Sequence, residues 1–299
     1  MNREAVGGGS TASDGCPLCG HERASTSWIG TIRFDGRDYS YLECSDCRSL
    51  YCSPMPDEAT LSRMYGMEYS VAFPDTADAD PKDHERVMAW LRQRPAGVFI
   101  DYGCGSGELL GRATQEGWEA IGVELDARVA DAAASSARVR VVTSPADLPD
   151  GVADAVHLGD VIEHLTRLDE QMPRVLKLLK PGGHLLAQGP LEANGSLFAA
   201  TVRFMRRLKG RPTVDMAPYH VLLATAVGQR LFFQRLGLVA RAYDVTETAW
   251  PAPERLVPRD LGRPRRLALY AVRRLSQRVS RFRPGHWGNR YFYIGGKAG

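Results

Sequence analysis

The sequence predicts an α/β protein, a doubly wound and mainly parallel sheet with a small cysteine-rich module in front of it. Three observations carry that reading. Strands and helices alternate from about residue 84 to residue 243, a glycine-rich loop follows the first buried strand, and four of the six cysteines fall into two Cys-x-x-Cys pairs. With 299 residues, 44% of them hydrophobic and 24% charged, the chain has room for one substantial domain and a satellite. A net charge of +3 is too small to argue by itself for a nucleic-acid partner.

Residues 1–14 are polar and Gly/Ser-rich, without the apolar core of a signal peptide, and read as a disordered tail. No apolar run reaches the roughly 20 residues that cross a bilayer, so a cytoplasmic protein is expected. Residues 15–56 form the cysteine-punctuated module, with strands over 28–34 and 39–43 joined at Asp35-Gly36. Residues 57–83 are a helical linker or lid: Asp57 can cap a helix over 58–65, and an acidic, Pro-containing stretch follows. The main domain spans 84–250. It begins with a helix over 84–94 and continues with strands at 97–101, 120–124, 139–143, 153–158 and 184–188. Helices over 108–115, 128–136 and 171–179 separate them, the last stopped by Pro181-Gly182-Gly183. Beyond Pro190 the rhythm changes to a helix over 197–209, an insertion-like loop, a helix over 224–236 and a strand over 238–243. Residues 251–299 hold a basic amphipathic helix over 261–283 and a last strand over 290–295.

The glycine loop reads Asp101-Tyr102-Gly103-Cys104-Gly105-Ser106-Gly107. Alternate glycines let the chain turn sharply and bring its backbone against a ligand. A dinucleotide loop would read GxGxxG and cradle a pyrophosphate. Here an acid stands two residues before the first glycine; it would repel a pyrophosphate and suits a ligand with a cationic amino group. Glu124, at the tip of the second strand, is placed to accept the protons of two ribose hydroxyls, with Asp126 the weaker candidate.

The segments DYGCGSG, GVELD, LGDVIEHL and LKPGGHLL together resemble the class I S-adenosylmethionine (SAM)-dependent methyltransferases, whose sheet is Rossmann-like. Within that class the chain is most similar to the bacterial group with an N-terminal cysteine module, over about residues 16 to 243. The resemblance implies SAM at the C-terminal ends of strands one to four. Asp101, Gly103, Gly105 and Gly107 would hold the methionine side, and Glu124 the ribose. Related chains often carry an acid after strand three for the adenine amine; this one reads Thr143-Ser144-Pro145-Ala146-Asp147, which leaves Ser144, Asp147 or a backbone group. Asp160, after strand four, is counted with the cofactor-binding residues. By the same analogy Tyr65 and Tyr69 would lie over the pocket and meet the substrate.

Cys16, Cys19, Cys44 and Cys47 are two knuckles flanking the hairpin, the donor set of a closed, tetrahedral structural zinc site. So small a module buries little apolar surface, and the metal would supply much of its folding free energy. Cys52 and Cys104 read as non-ligating.

The chemistry is expected from histidines. His164 follows Asp160 and Glu163 within about a helical turn, and Pro218-Tyr219-His220 stands where the family often carries a Pro-x-His element. Methyl transfer to oxygen or nitrogen usually needs a proton removed, which a histidine near its ordinary pKa can do. His220 is the first candidate base and also a substrate contact; His164 is the second, with Glu163 beside it. A divalent cation held by Asp160, Glu163, His164 and His220 is an alternative use of the same group. The expected acceptor is a small molecule, sugar or glycan- or lipid-linked hydroxyl, with C- and N-methylation next in order. The arginines of 263–283 hint at an anionic acceptor or a peripheral membrane contact, against a plain solvated helix packed on the sheet. The competing readings are an RNA methyltransferase and a non-catalytic SAM-binding protein.

Overall fold

Short apolar runs and amphipathic helices build two sheets in the computed structural model, which describes residues 15–64, 81–209, 213–215, 217–248, 256–260 and 262–297. The N-terminal module contributes β1 (Ala24–Thr26), β2 (Ile32–Phe34), β3 (Arg37–Cys44) and β4 (Leu50–Ser53), followed by α1 (Glu58–Met64). β2 and β3 are the expected hairpin. Asp35 and Gly36 both take positive φ, 51° and 71°, as a tight two-residue turn requires. The Asp57 carboxylate accepts the Thr60 N–H at 2.8 Å and caps α1.

The main domain runs α2 (Pro81–Leu91), β5 (Val98–Tyr102), α3 (Glu108–Gln115), β6 (Glu119–Val123), α4 (Ala127–Ala137), β7 (Arg140–Val142), β8 (Ala153–Gly159), α5 (Leu168–Lys177) and β9 (Leu179–Pro190). After it come α6 (Leu197–Lys209), β10 (Val214–Asp215), β11 (Leu222–Leu223), α7 (Ala226–Arg235), β12 (Val239–Thr246), α8 (Pro264–Ser280) and β13 (Arg290–Gly296). The large sheet has the order β7-β6-β5-β8-β9-β13-β12. β7 to β9 are parallel neighbours, and β13 runs antiparallel to both β9 and β12. The chain winds outward from β5 in both directions, so the crevice for a ligand opens at the carboxyl ends of β5 and β8.

Three elements depart most from their sequence outlines. β9 begins at Leu179, not near 184: Gly182 takes φ 76°, the register slips between Ala153 and Ala155, and the Pro-Gly-Gly segment lies inside the strand as an irregularity. β13, expected as a last strand outside the 84–250 domain, lies inside the large sheet with Tyr291, Phe292 and Tyr293 all buried. Its apolar residues on both faces suit a strand covered on both sides. In α8 the arginines do not all share one solvated face, because Arg273 is only 1% exposed. Its guanidinium lies over the Phe198 ring at 3.5 Å and pairs with the buried Glu247. No helix among the described residues is long and apolar enough to cross a membrane.

The second sheet joins module to domain. Its order is β10-β2-β3-β4-β11, with β1 paired to β3. β10 and β11 come from the insertion after β9, so the insertion and the module complete one sheet. The seat is reinforced below: the Thr225 hydroxyl donates to the Cys47 carbonyl at 2.6 Å, and Arg235 donates to the Pro17 and Leu18 carbonyls at 3.1 Å each. Gly228 in α7 lies so close that a Cβ there would stand 2.1 Å from Ser49 Oγ and 3.1 Å from Cys47 Sγ. Gly228→Ala is therefore expected to cost about 1–3 kcal/mol by overpacking, read as a lower urea midpoint. An unchanged midpoint would show that the module does not sit on α7.

Candidate functional site

The site begins where β5 ends. Asp101 is buried, and its Oδ1 accepts the Nδ1–H of His157 at 2.7 Å from the neighbouring β8. Gly103, Gly105 and Gly107 take φ of 78°, 50° and 77°, which favours glycine at each. A Cβ on Gly103 would stand 2.6 Å from Val161 Cγ2, and one on Gly107 3.2 Å from Ala133 Cβ. Gly105 meets nothing within 4 Å, so it forms the open side of the loop. Behind it the half-buried Glu124 carboxylate accepts the N–H groups of Gly105 and Asp126, each at 3.2 Å. Asp126 is spent on capping α4, accepting the Arg128 N–H at 2.9 Å and pairing with its guanidinium. An open backbone cradle with a fixed carboxylate at its rim fits the ribose and methionine ends of SAM. After β7, Ser144 accepts the Ala146 N–H at 3.2 Å and the Asp147 side chain is exposed. Cys104 is buried, and burial pushes its thiol up to about 12, which makes it an inert wall.

The packing of Val161 against Gly103 brings the next segment to the same strand ends. Asp160, at φ 53°, holds Arg290 of β13 in a bidentate pair at 2.8 and 2.6 Å. Glu163 is buried, and its Oε1 meets no hydrogen-bond partner among the described residues. Burial first, then the charge of Asp160, push its carboxyl up to about 8 against the pull of His220 and Arg290. The rings of His164 and His220 meet edge to face, their centroids 4.8 Å apart. His164 donates its Nδ1–H to the Tyr219 carbonyl at 2.8 Å. Burial, then the neighbouring His220, hold it down at about 4, so it is neutral at neutral pH. His220 donates its Nδ1–H to Glu192 Oε2 at 2.7 Å. Burial opposes its charge, but the hydrogen bond and charge of Glu192, with Glu163 and Asp160 behind, outweigh that and raise it to about 9. The loop carrying His220 is tied on both sides: Tyr41 of β3 donates to the His220 carbonyl at 2.5 Å, and the Val221 N–H donates to the Glu163 carbonyl at 2.9 Å.

Ligand atoms of Glu163, His164 and His220 all lie within 4.8 Å of one another, whereas the Asp160 carboxylate is engaged by Arg290. The four-residue group expected from spacing is thus gathered as three. Sequence reasoning missed Glu192, Arg290 and Tyr41. Each reaches the cluster through tertiary contacts, and only Glu192, an acid just past a strand end, left any local signal. Tyr65 and Tyr69 lie outside the described residues.

In the module, Cys16 and Cys47 place their sulfurs 3.7 Å apart, and Cys19 and Cys44 theirs 3.5 Å apart. All four sulfurs fall within 4.8 Å of one another, while Cys52 turns to the Pro54 carbonyl at 3.4 Å. The quartet matches the roughly 3.8 Å edges of a tetrahedron with 2.3 Å metal–sulfur bonds.

Residues 79–212 match the family model of a methyltransferase domain. Among curated relatives, the ribosomal protein L11 methyltransferase of Ralstonia nicotianae is 30% identical over 159 residues, 51% of this chain and 50% of that protein. The same-named protein of Bordetella parapertussis is 34% identical over 117 residues, 38% of each chain. A ubiquinone biosynthesis O-methyltransferase of Pectobacterium atrosepticum is 31% identical over 111 residues, 33% of this chain and 46% of that one. The chain thus spans about half the length, or less, of the curated relatives it matches. Of solved structures, a SAM-dependent methyltransferase from Archaeoglobus fulgidus is similar with a TM-score of 0.45 at 19% identity, over 78% of this chain and 100% of that one. The geranyl diphosphate C-methyltransferase of Streptomyces coelicolor, in complex with Mg2+, geranyl diphosphate and S-adenosyl-L-homocysteine, gives 0.47 at 17% identity, over 81% and 90%. Over residues 79–212 the chain is thus similar to a methyltransferase domain, and the curated methyltransferases match it over part of its length.

The His220–Glu192 pair has a direct test. Glu192→Gln removes the charge that raises His220, so its titration midpoint, read by NMR of the ring protons, is expected to fall clearly below about 9. Because the raised pKa stabilises the fold below the ordinary histidine range and the benefit is lost as pH rises through about 9, the variant should also lose the wild type's extra stability at mildly acid pH. A midpoint that did not move would mean that Glu192 does not set the charge of His220.

Proposed function

We propose that the protein transfers the methyl group of SAM to a hydroxylated small molecule, sugar or lipid-linked glycan, with His220 as the base. The observation that carries this reading is the His220–Glu192 pair standing at the same strand ends as the open glycine loop. SAM, when bound, supplies an electrophilic methyl. Asp101, Gly103, Gly105 and Gly107 would hold its methionine side, Glu124 its ribose, and Ser144 or Asp147 its adenine. Asp160 would act from the edge of the same pocket through its pair with Arg290. Neutral His220 accepts the hydroxyl proton at Nε2 as the O–H bond breaks and the new O–C bond forms; the S–C electron pair stays on sulfur. Glu192 fixes the ring tautomer and stabilises the imidazolium that results. His164 is the second candidate base, Glu163 stands beside both rings, and Tyr65 and Tyr69 would be substrate contacts. The same base would serve an acidic C–H or an amine.

Cys16, Cys19, Cys44 and Cys47 would hold a structural zinc, supported by their sulfur spacing. Such thiolates suit a reducing compartment, in keeping with a cytoplasmic enzyme.

Calorimetric titration with S-adenosylhomocysteine, zinc quantification and turnover over a panel of hydroxylated acceptors test the reading together. The wild type is expected to bind the product, carry one zinc and turn over faster as pH rises towards about 9, where His220 loses its proton. Glu124→Ala should weaken product binding at least about tenfold, since charged hydrogen bonds are worth roughly 1.5–3 kcal/mol. His220→Ala should keep product affinity and lose about 10²- to 10⁴-fold in turnover. Full turnover by His220→Ala would overturn the base. No product binding by folded, zinc-loaded chain would overturn the methyltransferase reading.

A further inference from the structure

We infer that α6 and α8, with the turn after α8, form a surface that docks on an anionic lipid bilayer. The two helices pack on each other, and neither carries an aspartate or glutamate. The inward side of the pair is settled by buried contacts: Ser276 accepts the Phe198 N–H at 3.1 Å, and Arg273 is engaged by Glu247. The outward side combines two properties that rarely occur together. Phe204, Met205 and Leu208 of α6 are 62%, 50% and 70% exposed, Leu275 of α8 is 51% exposed and Phe282 after it is 84% exposed. With Leu269 they make six of the eleven large apolar side chains that stand exposed among the described residues, so more than half of that apolar exposure gathers on this one pair. Interleaved with them, Arg265, Arg274, Arg278, Arg281 and Arg283 are all exposed.

Helical spacing keeps Arg274, Leu275 and Arg278 together on the side of α8 opposite the buried Arg273 and Ser276. In α6, Phe204 and Leu208 are one turn apart. A plainly solvated face would mix acids with bases and would not expose leucine, methionine and phenylalanine together. Nucleic acid would account for the arginines and for Phe204 and Phe282, but Met205, Leu208, Leu269 and Leu275, four of the six apolar side chains, offer no plane for bases to stack on. An anionic bilayer meets both demands: the apolar tips enter the acyl boundary while the guanidinium groups pair with lipid phosphates and their stems cover apolar surface.

The surface is wired to the site. Arg203 of α6 donates to the carbonyls of Ala193 and Asn194, the latter at 2.9 Å, in the loop that carries Glu192. A docked α6 is thereby linked directly to the loop that carries Glu192, and a lipid-linked acceptor would suit such a surface. The docking itself is independent of the chemistry proposed for His220.

Co-sedimentation of the full chain with phosphatidylcholine vesicles, with and without phosphatidylglycerol, is the test. Binding is expected only with phosphatidylglycerol and should weaken as salt rises. Arg274→Gln/Arg278→Gln should weaken it about tenfold or more, since each basic residue near an anionic surface is worth about 1 kcal/mol. Phe204→Ser/Leu208→Ser/Phe282→Ser should abolish it, with S-adenosylhomocysteine binding unchanged in both variants as the check on folding. Three results would overturn the inference: no binding to anionic vesicles, equal binding to neutral ones, or a dimer in sedimentation velocity that the apolar variant dissolves, which would assign the face to a second copy. RNA binding that survives the apolar variant and is lost in the arginine variant would also overturn it.

Discussion

The pairing of β10 and β11 with the module's strands is the contact on which the reactive part of the molecule depends. Each partner needs the other. Two-residue strands have no stability of their own, and their backbone groups must find partners as the insertion folds over the domain. The module, for its part, is too small to bury a sufficient core. Joined, they make one sheet whose edge β11 starts two residues after His220, with the Cys52 N–H donating to the Val221 carbonyl at 2.8 Å. The cysteine quartet gathers at the end of β3, whose last residue is Cys44. The cysteine quartet, the strand pairing and the position of the histidine are therefore links in one chain of contacts.

Electrostatics then separates two chemically identical rings. At a centroid distance of 4.8 Å, two imidazolium ions would repel, so only one ring can carry charge comfortably. Glu192 decides which: it hydrogen-bonds His220 and makes that ring the cation, leaving His164 bonded to a neutral carbonyl. Glu163 lies among these charges without a described partner for Oε1 and is held towards its neutral form. Environments that push paired groups apart in this way prepare them for different tasks in proton transfer.

What the amino-acid pattern revealed and what it hid divide along the range of the interactions involved. The glycine loop, the helix over 108–115 and the cysteine pairs reappear in the structure because each is set by residues a few positions apart. The parallel part of the sheet, β5 to β9, agrees with the same alternation. Hidden were contacts spanning long stretches of chain: Asp160 with Arg290, Tyr41 with His220, and Arg273 with Glu247 beneath a helix that reads as solvated. These depend on β13 entering the sheet beside β9 and on the insertion reaching the module, which no helical or strand period encodes. A neighbour such as Glu192 shows only when its partner, 28 residues later, is brought back to it.

The most direct measurement is hydrogen–deuterium exchange across residues 217–225 of the full chain, with and without a zinc chelator. If the cysteine module holds the histidine loop, chelation will sharply raise exchange in that segment and leave β5, in the core of the large sheet, protected. Unchanged protection of 217–225 after the metal has been removed would contradict the dependence of the site on the module.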